Sequence, residues 1–136
     1  MTQTTARATI SAYYAAFNAT DRAGMLACVT ADVEHRVNEG GVRFGSEKFA
    51  QFCAHMGVSY RERLDLIEIF VNEAGDRGAA EFTVHGVYLK TDPGLPEARG
   101  QGYVLPAGAF FELRGGKISR VTTFYNLADW IRQVSQ

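Results

Sequence analysis

Three histidines, His35, His55 and His85, and two cysteines, Cys28 and Cys53, are the side chains best suited here to move protons, hold a metal or attack an electrophile. Their spacing excludes most of those chemistries. The histidines form no HxH or HExxH pattern and no run of carboxylates accompanies them, so no metal is expected. The cysteines sit in apolar surroundings without a CxxC or CxxH partner, which predicts two reduced, mostly buried thiols. No GxSxG elbow or phosphate loop occurs. Gly100-Gln101-Gly102 falls between two strands, without the helix that a dinucleotide fingerprint needs, so no cofactor is expected. Acid–base chemistry remains. His35, an imidazole with an ordinary pKa of about 6.5, could shuttle a proton with a tyrosine to orient it. Asn38 and Glu39 could offer a donor and a carboxylate, or serve as turn residues before Gly40-Gly41.

The elements that must position these groups are readable from periodicity. Ile10, Tyr13, Tyr14 and Phe17, then Phe49, Phe52, Cys53 and Met56, then Leu127, Trp130, Ile131 and Val134 recur with the i, i+3, i+4, i+7 spacing of an amphipathic helix. Asp21, Ser46 and Asn126 stand where N-caps belong, and helices are expected near 4–19, 22–30, 46–58 and 127–134. Between the third and fourth helix the period changes to two, predicting long antiparallel strands over 63–72, 79–90, 103–114 and 118–126. A shorter strand covers 33–38. Helices segregated from a meandering sheet give a single α+β domain over 1–136: a cone-shaped, curved antiparallel sheet covered by three to four helices.

Composition narrows the function classes. The 136 residues carry 14 basic and 15 acidic side chains, a net charge of -1, and no Lys/Arg stripe that could follow phosphates, so nucleic acid is not an expected partner. No uncharged stretch reaches the roughly 18 residues that span a bilayer, and the N-terminus lacks the apolar core of a secretory signal. A cytoplasmic protein without a membrane anchor is expected. Nine Phe, six Tyr and one Trp are more than a minimal core needs, and suit either a large core or a lined cavity.

Tyr13-Tyr-Ala-Ala-Phe-Asn-Ala-Thr-Asp21, Thr30-Ala-Asp-Val33, Ala80-Glu-Phe-Thr-Val-His-Gly86, Leu105-Pro106 and Gly116-Lys-Ile-Ser-Arg-Val121 carry a resemblance that spans essentially the whole chain. The sequence resembles the nuclear-transport-factor-2-like superfamily, the cone fold of ketosteroid isomerases and SnoaL-type polyketide cyclases. It is most similar to ketosteroid isomerase-related proteins. The resemblance places Tyr13 where the family's oxyanion-hole tyrosine sits. It places Val37 where the general-base aspartate belongs, and Ala107, Gly108 and Ala109 where a protonated aspartic acid should follow Pro106. Losing a positioned base alone forfeits roughly 100- to 10,000-fold in rate, so steroid isomerisation by that mechanism is not expected. Because His35 shares strand parity with Val37, the resemblance turns it into the cone as the replacement acid or base.

The catalytic set expected on this basis is Tyr13, His35 and Asn38. A small hydrophobic carbonyl compound would be bound by Phe17, Cys53, Phe82, Val84, Tyr88, Gly108, Phe110, Val121 and Tyr125, for isomerisation, cyclisation or another proton transfer. A non-catalytic binding module of the same fold is the alternative. Gly86 and Gly108 leave volume in mid-strand for such a ligand. The opposite strand faces, with His85, Leu89, Ala109, Phe111, Leu113 and Phe124, are too apolar to face water, which predicts a homodimer through the convex sheet.

Overall fold

The computed structural model describes residues 2–38 and 40–136. In chain order the elements are α1 (Gln3–Asn18), α2 (Arg22–Ala27), β1 (Val29–Val37), β2 (Arg43–Phe44), α3 (Ser46–Ser59), β3 (Tyr60–Val71), β4 (Arg77–Tyr88), β5 (Gly102–Arg114), β6 (Lys117–Tyr125) and α4 (Leu127–Val134). Side-chain oxygens start three of the helices. Thr2, Asp21 and Asn126 accept from the backbone N–H groups of Thr5, Gly24 and Asp129. The fourth differs from expectation: Gly45, at φ 98°, is the cap of α3, and Ser46 is already helical.

The six strands form one sheet in the order β2-β1-β6-β5-β4-β3. The α+β class stands, but the sheet is mixed, because β1 runs parallel to β6 while every other pair is antiparallel. Three boundaries also shift. The second helix ends at Ala27, so Val29 opens a nine-residue β1; the two-residue β2 is an addition; and β3 starts at Tyr60, directly off α3. Register slips at Val29/Glu34, Asp65/Glu68 and Glu112/Leu113 curve the sheet, the second around Leu66 at φ 53°.

Helices α1 and α3 lie on the concave side and bury Ile10, Tyr13, Tyr14 and Phe49 against it. No helix among the described residues is long and apolar enough to cross a membrane.

Hydrogen-bond register decides which strand faces meet the helices. On β4, Phe82, Val84, Gly86 and Tyr88 point inward, as expected. Opposite them on β5 stand Ala107, Leu105 and Tyr103, so the inward set of β5 is Tyr103, Leu105, Ala109, Phe111 and Leu113. The expectation for this strand is therefore inverted. Gly108, Phe110 and Glu112 lie on the convex face, and Phe110 is 54% exposed. Phe110-Phe111 puts a ring on both parities, so alternation alone could not choose between them.

Candidate functional site

The centre of the cone is filled by the chain's own rings. Tyr13 meets Tyr14 edge-on at 5.2 Å and Phe111 at 6.1 Å, and Tyr14 meets Phe82 at 5.2 Å. These rings take up the centre of the expected cavity, and half-buried side chains border them on the inner face. Phe17 of α1, Phe52 and Cys53 of α3, Tyr60 and Glu62 of β3, and Thr123 and Tyr125 of β6 are there neither sealed nor fully exposed. Two open depressions lie outside the cone. One, of about 460 Å³, runs between α1, the end of α2 and the β5–β6 turn; the other, of about 610 Å³, crosses the convex face beside Glu34, Glu112 and Arg120.

Of the expected catalytic residues, Tyr13 and His35 point into the cone and Asn38 stands just past the end of β1, bonded to β6. Tyr13 is buried, its hydroxyl makes no hydrogen bond among the described residues, and burial, with Tyr14 nearby, holds its pKa well above the ordinary tyrosine range. It can donate a hydrogen bond but not serve as a base near neutrality. His35 faces inward opposite Val121, 3% exposed, between the rings of Phe49 at 5.1 Å and Phe52 at 4.6 Å. Burial first, then the Arg43 charge, lower its pKa to about 4, so the imidazole is neutral at pH 7. Its Nδ1 is buried without a partner.

Asn38 sits at the turn after β1. Its backbone N–H donates to Thr123 O at 2.8 Å and its Oδ1 accepts from Tyr125 N at 2.9 Å, at φ 51°. Its Oδ1 extends the β1–β6 pairing past the strand end, which commits that acceptor to the turn. Glu39 lies outside the described residues.

Among the expected binding residues, Phe17, Cys53, Phe82, Val84, Val121 and Tyr125 belong to the inward-facing set. Burial pushes the Cys53 thiol up to about 11, which keeps it protonated. Gly108 and Phe110 face outward and cannot touch a ligand in the cone. Tyr88 is fully buried and works as a fastener: its hydroxyl donates to Pro96 O at 2.6 Å and accepts from Asp92 N at 2.9 Å, tying down the segment after β4. Gly86 does not leave room for a ligand. A Cβ there would lie 2.1 Å from Tyr103 Cζ, because the Tyr103 ring occupies that space.

Sequence reasoning missed a polar cluster around Glu62 and Tyr60. Glu62 accepts from the Tyr103 hydroxyl at 2.6 Å, while Asp92 accepts from the Tyr60 hydroxyl at 2.8 Å and pairs with His55 at 3.0 Å. The ring of Tyr60 stacks on Tyr88 at 5.4 Å, and the Trp130 indole sets its edge against Tyr60, Tyr88 and Tyr103. Burial raises the Glu62 pKa, countered in part by the Tyr103 hydrogen bond. The signal was present: Glu62 shares strand parity with Tyr60 and Leu64, so a carboxyl interrupts an apolar face. Among the described residues no three His, Cys, Asp or Glu side chains are grouped to hold a metal.

Residues 10–121 match the SnoaL-like domain. A protein of Silicibacter sp. TM1040, described as a "putative polyketide cyclase", is similar over 100% of this chain and 99% of its own, at 57% identity and a TM-score of 0.96. One of Pseudomonas putida KT2440, described in the same words, matches over 98% of both chains at 54% identity and a TM-score of 0.94. An NTF2-like protein of unknown function from Burkholderia pseudomallei K96243 has a TM-score of 0.81 at 19% identity, over 97% of this chain and 98% of its own, and so shares the fold alone. No curated protein matches the chain.

Proposed function

The chain belongs to the SnoaL-like domain family, and from that premise we propose that it is a cofactor-independent enzyme acting on a compact, largely apolar carbonyl compound. The substrate lies along the half-buried side chains of the inner face, and the reaction moves a proton on the carbon next to the carbonyl, as ring closure or isomerisation of a polyketide-like chain requires. One observation carries this reading. On the inward face His35 Nδ1 is buried without a partner, and beside it the hydroxyls of Tyr13 and Tyr125 make no side-chain hydrogen bond among the described residues. Buried polar atoms are almost always paired in folded proteins, and unpaired ones in an aromatic wall fit a ligand that brings its own acceptor. The description of the relatives as cyclases agrees with that chemistry.

The test is exchange of the α-protons of 2-tetralone in deuterated buffer, followed by proton NMR, with binding read from the thermal shift. An enzyme accelerates the exchange, and Tyr13→Phe slows it by about tenfold or more. Stabilisation by the ketone with no exchange would establish the binding module instead, the reading favoured by the absent carboxyls at Val37 and after Pro106. Neither stabilisation nor exchange, across a panel of aromatic ketones, would overturn both.

A further inference from the structure

The carboxyl that this chemistry needs is absent from the positions where the family resemblance looks for it, but the concave face does carry one. Glu62 projects inward from β3 between Tyr60 and Leu64, directly opposite Gly86. Because Gly86 has no side chain, the ring of Tyr103, which comes from β5 on the other side, lies flat across β4 and reaches Glu62 Oε2. Three adjacent strands thus build one contact. No ion pair involves Glu62 among the described residues, and its Oε1 makes no hydrogen bond there. The geometry points to Glu62 as the catalytic acid–base group of this site, with Tyr103 as its positioning residue and Tyr125 as the donor to the substrate's carbonyl oxygen. This assignment rests on the proton-transfer reading above.

The chemistry follows from the surroundings. The titratable groups around Glu62 are the phenols of Tyr103 on β5 and Tyr125 on β6, with Tyr60 on the same face of β3 and Asp92, from the segment after β4, held by Tyr60. The His55 imidazole is committed to Asp92 at 3.0 Å, and Tyr60 donates to the same carboxylate. No cation therefore holds Glu62 permanently ionised, and its aromatic neighbourhood disfavours the charged form. Such a carboxyl accepts a proton more readily than an exposed one. In the forward step the C–H bond next to the carbonyl breaks and its proton passes to Oε1. The C–H electron pair becomes the enolate double bond, and the carbonyl π pair moves to oxygen, where the Tyr125 hydroxyl donates a hydrogen bond. The neutral carboxyl then returns a proton to carbon. Tyr125 is free for that task, since its hydroxyl makes no side-chain hydrogen bond among the described residues, and burial first, then the nearby carboxylates Glu62 and Asp92, keep its phenol protonated.

The experiment uses the full-length protein, 2-tetralone as probe and carboxyl-labelled glutamate for NMR. Glu62→Gln keeps the side-chain shape and an oxygen for Tyr103, and is expected to cut the exchange about 100-fold or more while changing ketone binding only a few-fold. Tyr103→Phe should keep measurable exchange but move the acid limb of the pH–rate profile upward, because the lost hydrogen bond had favoured the carboxylate. A purely structural role for Tyr103 would leave that limb in place. The Glu62 carboxyl signal, identified by its loss in Glu62→Gln, should titrate above the exposed glutamates and higher still in Tyr103→Phe. Exchange at the wild-type rate in Glu62→Gln, or titration together with the exposed glutamates, would overturn the assignment while leaving the proposed function standing. Failure of the wild-type protein to bind or exchange any ketone would remove both.

Discussion

His35 sets an imidazole between two phenylalanine rings, with the Arg43 guanidinium 4.4 Å from the centroid of one of them, Phe52. Both surroundings oppose the imidazolium, so its pKa falls to about 4 in the folded chain, against about 6.5 when unfolded. Protonation therefore favours the unfolded state. The stability tied to this group is fully present above about pH 6.5 and is lost as pH falls towards 4, by about 3 kcal/mol in total. Urea unfolding at pH 7, 5.5 and 4.5 should show that decline in the wild-type protein, and a shallower one in His35→Phe. Parallel slopes in the two proteins would mean that the imidazole is not held neutral. The same residue shows what could be read beforehand: parity with Val33 and Val37 gave its direction, whereas its dependence on Phe49, Phe52 and Arg43 needed the packing of α3 and β2 against β1.

At the scale of elements, β3 is an edge strand, and two side chains of α1 blunt it. The Asn18 amide behaves like a missing neighbour strand: Nδ2 donates to Leu64 O at 2.9 Å and Oδ1 accepts from Leu64 N at 2.8 Å, while Arg7 donates to Ile69 O at 2.7 Å. Asn18→Ala removes both Leu64 contacts and should cost about 2 kcal/mol, read as a lower melting temperature together with faster hydrogen exchange at the Leu64 amide. An unchanged Leu64 exchange rate would show that the Asn18 amide does not protect the strand edge. Elements with strong local signals were legible in the sequence. The i, i+3, i+4 stripes of α1, α3 and α4 and the caps at Asp21 and Asn126 fall where periodicity puts them. The inner face of β5 was not legible, because Phe110 and Phe111 give both parities a ring. The polar cluster was missed because Tyr60-Arg61-Glu62-Arg63 reads as a charged run following a helix, so the strand was started one residue too late to include Glu62.

For the whole molecule, the convex face presents Leu89, Val104, Phe110 and Phe124 at 43–54% exposure, with Phe110 and Phe124 edge-to-face at 5.9 Å. We propose that two copies cover this face against each other. Sedimentation at roughly tens of micromolar should then give a dimer, and Phe110→Asp a folded monomer. A monomeric wild-type chain under those conditions would overturn the pairing. The membership of this face changed with the β5 register, Phe110 replacing Phe111, yet an apolar outer surface remains on either assignment.

The parallel seam between β1 and β6 sets His35 beside Val121, so β1 finds that partner only after β2, α3, β3, β4 and β5 have all been made. Until then β1 has only the two residues of β2 to pair with, and its inward Val33 and His35 have no sheet to lie in. Closure of this flank must therefore wait for β6. A ribosome stalled before the codons of β6 would hold a chain that has its hairpins but an unsealed flank at β1, open to chaperones and to other nascent chains.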